Sequence, residues 1–366
     1  MASLDIGGQG NVVGDITRDL PSLKFENAIS EDESSYLILR ARSHAITVSA
    51  CAQATYFAAI LNEARQHILE LRSPKKSKTS KFLQDAPPRD PLLVGIIGCG
   101  RMGLHLANAL LTYADVQPNE LVVSTRRPET LGKLKEKGVS CIYNNAVVAT
   151  SVHLLFLCVL PSQLPGVTED IKGIIPSSCT VYTFLGSVLI PRLRQVIQCG
   201  NIIKAEYSWK LDNADAPWDY GRDVCTTLEN PQQVQVTCPL NLNKEDAILS
   251  TDDKWCEMIL YSFVNLCIRM GLSKEETIAT LNYIVLGQGV SREYTSKFVP
   301  EDFTKRKDIF PVFDMAAVAN NPTPLTQTIM EESEIRRQFV KKYMSIFDKF
   351  YYWKGIKQVR KKPDKE

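Results

Sequence analysis

Short apolar segments alternate with segments of helical period between residue 92 and about residue 204. Strand-length runs such as LLVGII, ELVVST and VHLLFLCV are followed by stretches with the apolar spacing of a helix, as in RMGLHLANALLTYA. Strands that recur with helices between them predict βαβ units and a parallel sheet covered on both faces. We therefore expect an α/β protein with a Rossmann-type doubly wound parallel sheet.

The segments outside this region predict helices and a linker. Residues 31–72 have an Ala-rich helical pattern, which favours close packing against another helix or a second subunit. From residue 244 the pattern is again helical; VCTTL and QVQVT are candidates for additional edge strands, and we interpret Ser250 or Thr251 as a helix cap. The predicted organisation is an N-terminal helical extension (1–72), a basic and proline-rich linker (73–91), a Rossmann domain (92–240) and an all-helical C-terminal domain (241–366).

Composition argues against several classes of function. The chain has 366 residues and a net charge of +2, which gives no electrostatic basis for nucleic acid binding. Its ten cysteines include no Cys-x-x-Cys pair and its four histidines are isolated, so we expect neither a disulfide framework nor a metal site. The sequence shows no secretory signal and no apolar run of about 18 residues, so we expect an intracellular, cytoplasmic protein without a membrane partner.

A glycine-rich motif, GCGRMG, follows the first predicted strand and opens the next helix. In this context Gly98 permits a tight turn, Gly100 the close approach of a pyrophosphate, and Gly103 the packing of the helix on the strand. The helix amides would then face the phosphates. The alternative is a plain glycine-rich turn. We assign the whole loop to a dinucleotide site: Gly98, Cys99, Gly100, Arg101, Met102 and Gly103.

The residues at the end of the second predicted strand favour NADP(H) over NAD(H). An NAD site has an acidic residue there, which accepts hydrogen bonds from the ribose hydroxyls. This chain instead has Ser124, Thr125, Arg126 and Arg127, with no acid before Glu129. A guanidinium binds a phosphate through two hydrogen bonds and stacks on adenine. The alternative is that the arginines are solvated surface residues.

The end of the fourth predicted strand, CVLP, supplies further candidates. Ligands of doubly wound folds cross the carboxyl ends of the strands. Val159, Leu160 and Pro161, together with Cys158, would therefore lie under the ribose and nicotinamide half of the cofactor. None of these side chains is suited to proton transfer.

These motifs together resemble the pyrroline-5-carboxylate reductase family. The similar stretches cover about residues 92–205 and 250–290, and include VGIIGCGRMGLHLANALL, VSTRRPETLGKLKEKGV, LFLCVLP, FLGSVLIPRL and ILYSFVNLCIRMGLSKEETIATLNYIVLG. The resemblance implies an NADPH-binding Rossmann domain, a helical domain that forms a homodimer, and hydride transfer to the C=N bond of a cyclic imino acid to give proline. By the same resemblance, the family's phosphate loop corresponds to Gly98, Gly100, Met102 and Gly103. Its adenosine-phosphate site corresponds to Ser124 and its neighbours, and the turn after its fourth strand to Pro161.

The substrate side departs from that family. Leu160 stands where the family has a lysine, and the substrate segment T-A-x-S-G-S-G-P-A is replaced by LSTDDKWCEMILYSF. Lys204, Glu206, Tyr207 and Lys210 follow the sixth strand, where Lys or Tyr could protonate a product or all four could form ordinary surface contacts. The sequence therefore identifies no catalytic residue.

Three functions are compatible with these observations. We favour an NADP(H)-dependent oxidoreductase that transfers hydride to an imino or carbonyl group of a small-molecule substrate. The alternatives are a catalytically inactive NADPH-binding regulatory or partner protein, and a pyrroline-5-carboxylate reductase of proline biosynthesis.

Overall fold

A six-stranded parallel sheet forms the centre of the protein. The computed structural model describes residues 30, 36–72, 89–209, 218, 222–241, 249–286, 308–331 and 333–348. The strands are β1 (Val94–Ile97), β2 (Leu121–Ser124), β3 (Ser140–Ile142), β4 (Leu154–Leu157), β5 (Thr180–Thr183) and β6 (Ile202–Lys204). Their order is β3-β2-β1-β4-β5-β6, with all neighbours parallel. From β1 the chain first adds strands on one side of the sheet (β2, β3) and then on the other (β4, β5, β6). This order is that of a doubly wound fold, so the predicted fold class is confirmed.

Thirteen α-helices lie beside the sheet in the described part of the chain. The helices are α1 (Leu37–Arg72), α2 (Arg101–Tyr113), α3 (Gly132–Glu136), α4 (Asn145–Ser151), α5 (Leu164–Ile171), α6 (Ile190–Ile197), α7 (Val224–Thr227), α8 (Pro231–Thr237), α9 (Lys254–Arg269), α10 (Lys274–Leu281), α11 (Met315–Asn320), α12 (Pro324–Glu331) and α13 (Ser333–Phe347). Short 3₁₀ turns occur at Pro118–Glu120, Pro128–Leu131 and Pro161–Gln163, and a π turn at Asn282–Leu286 continues α10.

The long helix α1 belongs to the protein core. Its middle section is buried, including Tyr56, Phe57 and Ile60, and it contacts α2, α8, α9 and α13. Alanines in this section leave room for the neighbouring helices to approach closely. The expected packing of α1 against another helix is therefore confirmed, and α2 of the same chain is a principal partner. The part of the predicted helix over residues 31–35 lies outside the described residues.

Helix α1 also has the length and composition of a membrane-spanning helix. Over Ile38–Arg72 its mean hydropathy reaches 1.3, and 83% of the most apolar 18-residue window is buried inside the protein. Burial of this extent is typical of the central helix of a folded domain. This property is difficult to see in the sequence because Ser, Thr and Gln residues interrupt the apolar run.

Three local predictions were wrong. VCTTL and QVQVT lie in helices α7 and α8 rather than edge strands, because Asp223 and Asn230 accept hydrogen bonds from the first helical amides and Pro231 opens α8. Ser250 and Thr251 are strand residues rather than a helix cap, since Leu249–Thr251 forms strand β8. The hydroxyl of Ser250 lies 2.8 Å from that of Ser208 on the paired strand.

A two-stranded antiparallel ribbon stands beside the carboxyl end of the sheet. It pairs β7 (Tyr207–Trp209) with β8. The amide of Asp252 donates to the carbonyl oxygen of Glu206 at 3.0 Å. The ribbon therefore brings the start of α9 next to the end of β6.

One cluster of buried hydrophobic side chains extends from Val48 in α1 through the sheet to Phe347 in α13. The core contains residues on both sides of positions 72, 91 and 240. The domain boundaries expected at these positions stay a prediction. No disulfide joins the ten cysteines, all of which lie in the described ranges.

Candidate functional site

The glycine loop after β1 has a backbone that side chains would disrupt. Gly98 has a φ of +92°, and a Cβ there would lie 2.6 Å from Val159 Cγ1 and 2.7 Å from the carbonyl oxygen of Cys158. A Cβ on Gly103 would lie 2.3 Å from the carbonyl oxygen of Gly98, whereas one on Gly100 would meet no atom within 4 Å. Two glycines are thus required for packing, and the third borders open space where a ligand can approach the backbone.

Helix α2 begins directly behind this open space. Gly100 is its N-cap residue and has no side chain that could cap the helix, and no cap hydrogen bond is found among the described residues. The first N–H groups of a helix have no partner within the helix and carry partial positive charge, so this end is suited to an anion. Arg101 is exposed beside it, while Cys99 and Met102 are partly buried. Burial raises the pKa of the Cys99 thiol to about 12, with a smaller contribution from Cys141.

The residues at the end of β2 divide into a buried and an exposed group. Ile97 pairs with Ser124 in the sheet, and the Gly98 amide donates to the Ser124 carbonyl at 2.9 Å, so this end adjoins the glycine loop. The side chains of Arg126 and Arg127 are exposed, and Thr125 is partly buried. Two exposed arginines therefore follow the strand end that adjoins the loop, with Glu129 as the first acid after them.

The Ser124 side chain is fully buried rather than open to a ligand. Its hydroxyl donates to Asn145 Oδ1 at 2.5 Å, and Asn145 Nδ2 donates to Asp170 Oδ2 at 2.8 Å. A contact between this hydroxyl and a phosphate stays a prediction. An Asn of the stretch YNNAVV (143–148) is part of the family resemblance, but the sequence does not indicate the contact between Asn145 and Ser124.

The end of β4 provides the apolar part of the site. The Cys158 amide donates to the carbonyl of Ile97 at 2.9 Å, which holds the two loops together. Burial raises the pKa of the Cys158 thiol well above its usual range, so it is a neutral side chain at physiological pH. Leu160 is 63% exposed at the sheet edge, Val159 is partly buried, and Pro161 opens a 3₁₀ turn.

The candidate proton donors after β6 are already engaged. Lys204 is buried, and its ammonium contacts the carbonyl oxygens of Gly186 and Val188 and the carboxylate of Glu206. The Tyr207 hydroxyl donates to Gln53 Oε1 in α1 at 2.9 Å, and burial raises the pKa of this tyrosine well above its usual range. Lys210 lies outside the described residues.

Two histidines lie on neighbouring helices, His44 in α1 and His105 in α2. His44 Nδ1 accepts a hydrogen bond from Trp218 Nε1 at 2.8 Å, and His44 Nε2 lies 2.8 Å from the carbonyl of Arg222. These partners fix a neutral ring with the proton on Nε2. The pKa of His105 in α2 is lowered, first by burial, although the charge of Asp223 opposes the shift. Neither histidine belongs to a metal-binding group, and the described residues contain no cluster of three or more His, Cys, Asp or Glu that could hold a metal.

A cavity of about 310 Å³ lies between the start of α9 and the turn that joins α11 to α12. Glu257 Oε2 inside it accepts hydrogen bonds from Lys254 Nζ at 2.6 Å, Thr323 Oγ1 at 2.8 Å and Thr326 Oγ1 at 3.0 Å. Asp253 pairs with Arg336 at 3.5 Å. Much of the charge in the cavity is therefore neutralised by its own residues.

Comparisons with known proteins show similarity to NADP-dependent oxidoreductases. A family described as "NADP oxidoreductase coenzyme F420-dependent" matches residues 93–181, which run from β1 to β5. The chain is 31% identical over 346 residues to the mouse protein "NADP-dependent oxidoreductase domain-containing protein 1", covering 91% of this chain and 93% of the mouse protein.

More distant similarities cover less of the relative or show less identity. The zebrafish pyrroline-5-carboxylate reductase 3 is 27% identical over 124 residues, which is 34% of this chain and 43% of that protein. The solved structure of a pyrroline-5-carboxylate reductase from Coxiella burnetii aligns with 70% of this chain and 97% of its own, at 16% identity and a TM-score of 0.30.

Proposed function

Since this chain belongs to the family of NADP-dependent oxidoreductase domain-containing protein 1, which is related to pyrroline-5-carboxylate reductases, we propose that it binds NADP(H) and uses it to reduce a small molecule. The proposed reaction is hydride transfer to an imino or carbonyl group. The observation that carries the proposal is the open backbone at Gly100 in front of an uncapped helix end, with two exposed arginines beside it.

The residues of this edge fit the chemistry of NADP(H). The glycine loop and the first amides of α2 would hold the pyrophosphate, and Arg126 and Arg127 the 2′-phosphate. Val159, Leu160 and Pro161 would lie along the nicotinamide half, where apolar side chains exclude water. Bound NADPH supplies a hydride, which needs close and correct placement of the acceptor more than it needs a protein acid or base.

A second candidate function has a specific observation in its favour. Lys204 and Tyr207 make hydrogen bonds within the protein, so neither offers a proton at the sheet edge. An NADPH-binding regulatory or partner protein without catalytic activity would need no such donor. Reduction of pyrroline-5-carboxylate in proline biosynthesis is the third candidate. The segment LSTDDKWCEMILYSF (249–263), which stands in place of the family's glycine-rich substrate segment, argues against it.

Titration of the purified protein with NADPH and with NADH tests the cofactor. We expect NADPH to bind more tightly and to raise the melting temperature. A screen of cyclic imines and keto acids then separates the two candidates. With an oxidoreductase the absorbance of the reduced nicotinamide falls in the presence of a substrate, and with an inactive binding protein it stays constant. Failure to bind NADPH would overturn both.

The assembly and the compartment belong to the same proposal. We expect a cytoplasmic homodimer that binds neither nucleic acid nor membranes. Light scattering on the purified protein measures the number of subunits, and fractionation of cells measures the compartment.

A further inference from the structure

Lys204, the last residue of β6, is a buried lysine with every ammonium proton used. Its side chain is 2% exposed. Nζ lies 3.3 Å from the carbonyl oxygen of Gly186, 3.2 Å from that of Val188, and 2.9 Å from Glu206 Oε1. A lysine ammonium has three donors and no acceptor, and these three oxygens match that number.

Burial of an ammonium is costly unless its protons are paired. Two of the three acceptors are main-chain carbonyls of the segment Phe184–Leu189, which connects β5 to α6. At the start of the segment the Phe184 amide donates to the Leu157 carbonyl at 3.2 Å, whereas the amides of Gly186 and Val188 donate within the segment, to the carbonyls of Phe184 and Leu185. Lys204 therefore fixes the backbone of this segment against the neighbouring strand.

The segment Phe184–Leu189 follows β5, on the side of the sheet away from the two exposed arginines. β5 lies beyond β4 from β1, whereas the two exposed arginines follow β2 on the other side of β1. A dinucleotide that places its 2′-phosphate at the arginines extends its nicotinamide half over the ends of β4 and β5. The segment Phe184–Leu189, with Ser187 and Leu189 exposed, stands at that end.

We propose that Lys204 is a positioning residue, which holds the segment Phe184–Leu189 in the conformation that receives the nicotinamide half of NADP(H). The inference rests on the proposed function, because it needs a bound dinucleotide. It assigns Lys204 no contact with the cofactor and no proton transfer. A purely structural lysine would affect all ligands of the site equally, and a positioning lysine affects the nicotinamide half alone.

Comparison of two ligands tests this difference. NADPH contains both halves, and adenosine 2′,5′-bisphosphate contains only the adenosine and its phosphates. We expect K204M to weaken NADPH binding about tenfold, or about 1.4 kcal/mol, and to change the affinity for adenosine 2′,5′-bisphosphate by less than about twofold. The matched control is K172M, which removes an exposed lysine after α5 and should change neither affinity.

Each result decides the proposal. A folded K204M protein that binds both ligands like the wild type, or loses both by the same factor, would overturn the inference and leave the proposed function intact. Wild-type protein that binds neither ligand overturns the proposed function and the inference together. Should K204M fail to fold, E206Q replaces an exposed carboxylate, and the same selective loss is expected at about two- to threefold; equal or absent loss in E206Q overturns the inference.

Discussion

The carbonyl oxygen of Gly98 occupies the place where a side chain on residue 103 would begin, since a Cβ on Gly103 would lie 2.3 Å from that oxygen. The first turn of α2 therefore rests directly on the glycine loop. We expect Gly103→Ala to destabilise the protein by about 1–3 kcal/mol, because either the helix or the loop must shift. Urea unfolding measures the change, and Gly166→Ala, at a glycine of α5 with open space around it, should leave the midpoint nearly unchanged or raise it.

Gly100 has the opposite environment, since a Cβ there would have no atom within 4 Å and the backbone has an ordinary φ of −78°. We expect Gly100→Asp to fold normally and to abolish NADPH binding, because the carboxylate fills and charges the proposed phosphate position. The control, Gly166→Asp, adds the same charge away from the loop. Equal NADPH affinity of G100D and wild type would contradict the assignment of the phosphate site.

The exposed pair Arg126 and Arg127 is expected to distinguish the two nicotinamide cofactors. Replacing both by alanine should weaken NADPH binding by about 2–4 kcal/mol, since hydrogen bonds to a charged phosphate contribute about 1.5–3 kcal/mol each. NADH lacks the 2′-phosphate, so its affinity should stay within a factor of about two. Arg337→Ala, an exposed arginine of α13, is the control; an equal loss for both cofactors would show that the pair does not read the phosphate.

Stability should depend on pH through His105. Burial lowers the pKa of this ring in the folded protein below the ordinary value near 6.5. Between the folded pKa and 6.5 the unfolded chain binds more protons than the folded protein. The contribution of the neutral His105 ring to the free energy of unfolding is therefore fully present above pH 6.5 and is lost as the pH falls through the folded pKa.

The variant His105→Gln tests that dependence by melting curves over this range of pH. We expect a shallower decrease in melting temperature. Part of the pH dependence should persist, because the pKa of His153 is also lowered, first by burial and then by the charge of Arg65. An unchanged slope in the variant would show that His105 does not contribute.

Gln53 in α1 connects the helix to three other segments. Its side chain accepts from the Tyr207 hydroxyl and donates to Thr251 Oγ1 at 2.8 Å and to the Thr237 carbonyl at 3.0 Å. Gln53→Leu removes these three hydrogen bonds from buried groups, and we expect a loss of about 2–4 kcal/mol in the free energy of unfolding. Ser43→Ala on the exposed part of α1 should stay within about 0.5 kcal/mol, and a similarly small effect at Gln53 would mean that water replaces the amide.

The sheet could be predicted from sequence because its strands carry local signals. LLVGII, ELVVST and VHLLFLCV are apolar runs of strand length, and helices with their own period separate them. The two short helices α7 and α8 were mistaken for strands because VCTTL is rich in β-branched residues and QVQVT alternates polar and apolar residues. Their caps, Asp223 and Asn230, decided the outcome through hydrogen bonds to the first helical amides.

Side-chain environments were less predictable than strands, since they depend on contacts between distant residues. Ser124 was expected at a ligand and is buried against Asn145. Lys204 was considered as a proton donor and instead binds two carbonyls of a segment 16 to 18 residues earlier. Neither contact has a signature in the residues that flank it.

The sequence by itself determined the alternating α/β pattern, the glycine loop between β1 and α2, and the arginine pair after β2, because each depends on residues close together in the chain. Only the tertiary structure decided that α1 lies inside the core, that Ser124 is closed to solvent, and that the ammonium of Lys204 supports the β5–α6 segment. Burial and hydrogen-bond partners arise when segments far apart in sequence meet, and that meeting determines which polar groups stay available to a ligand.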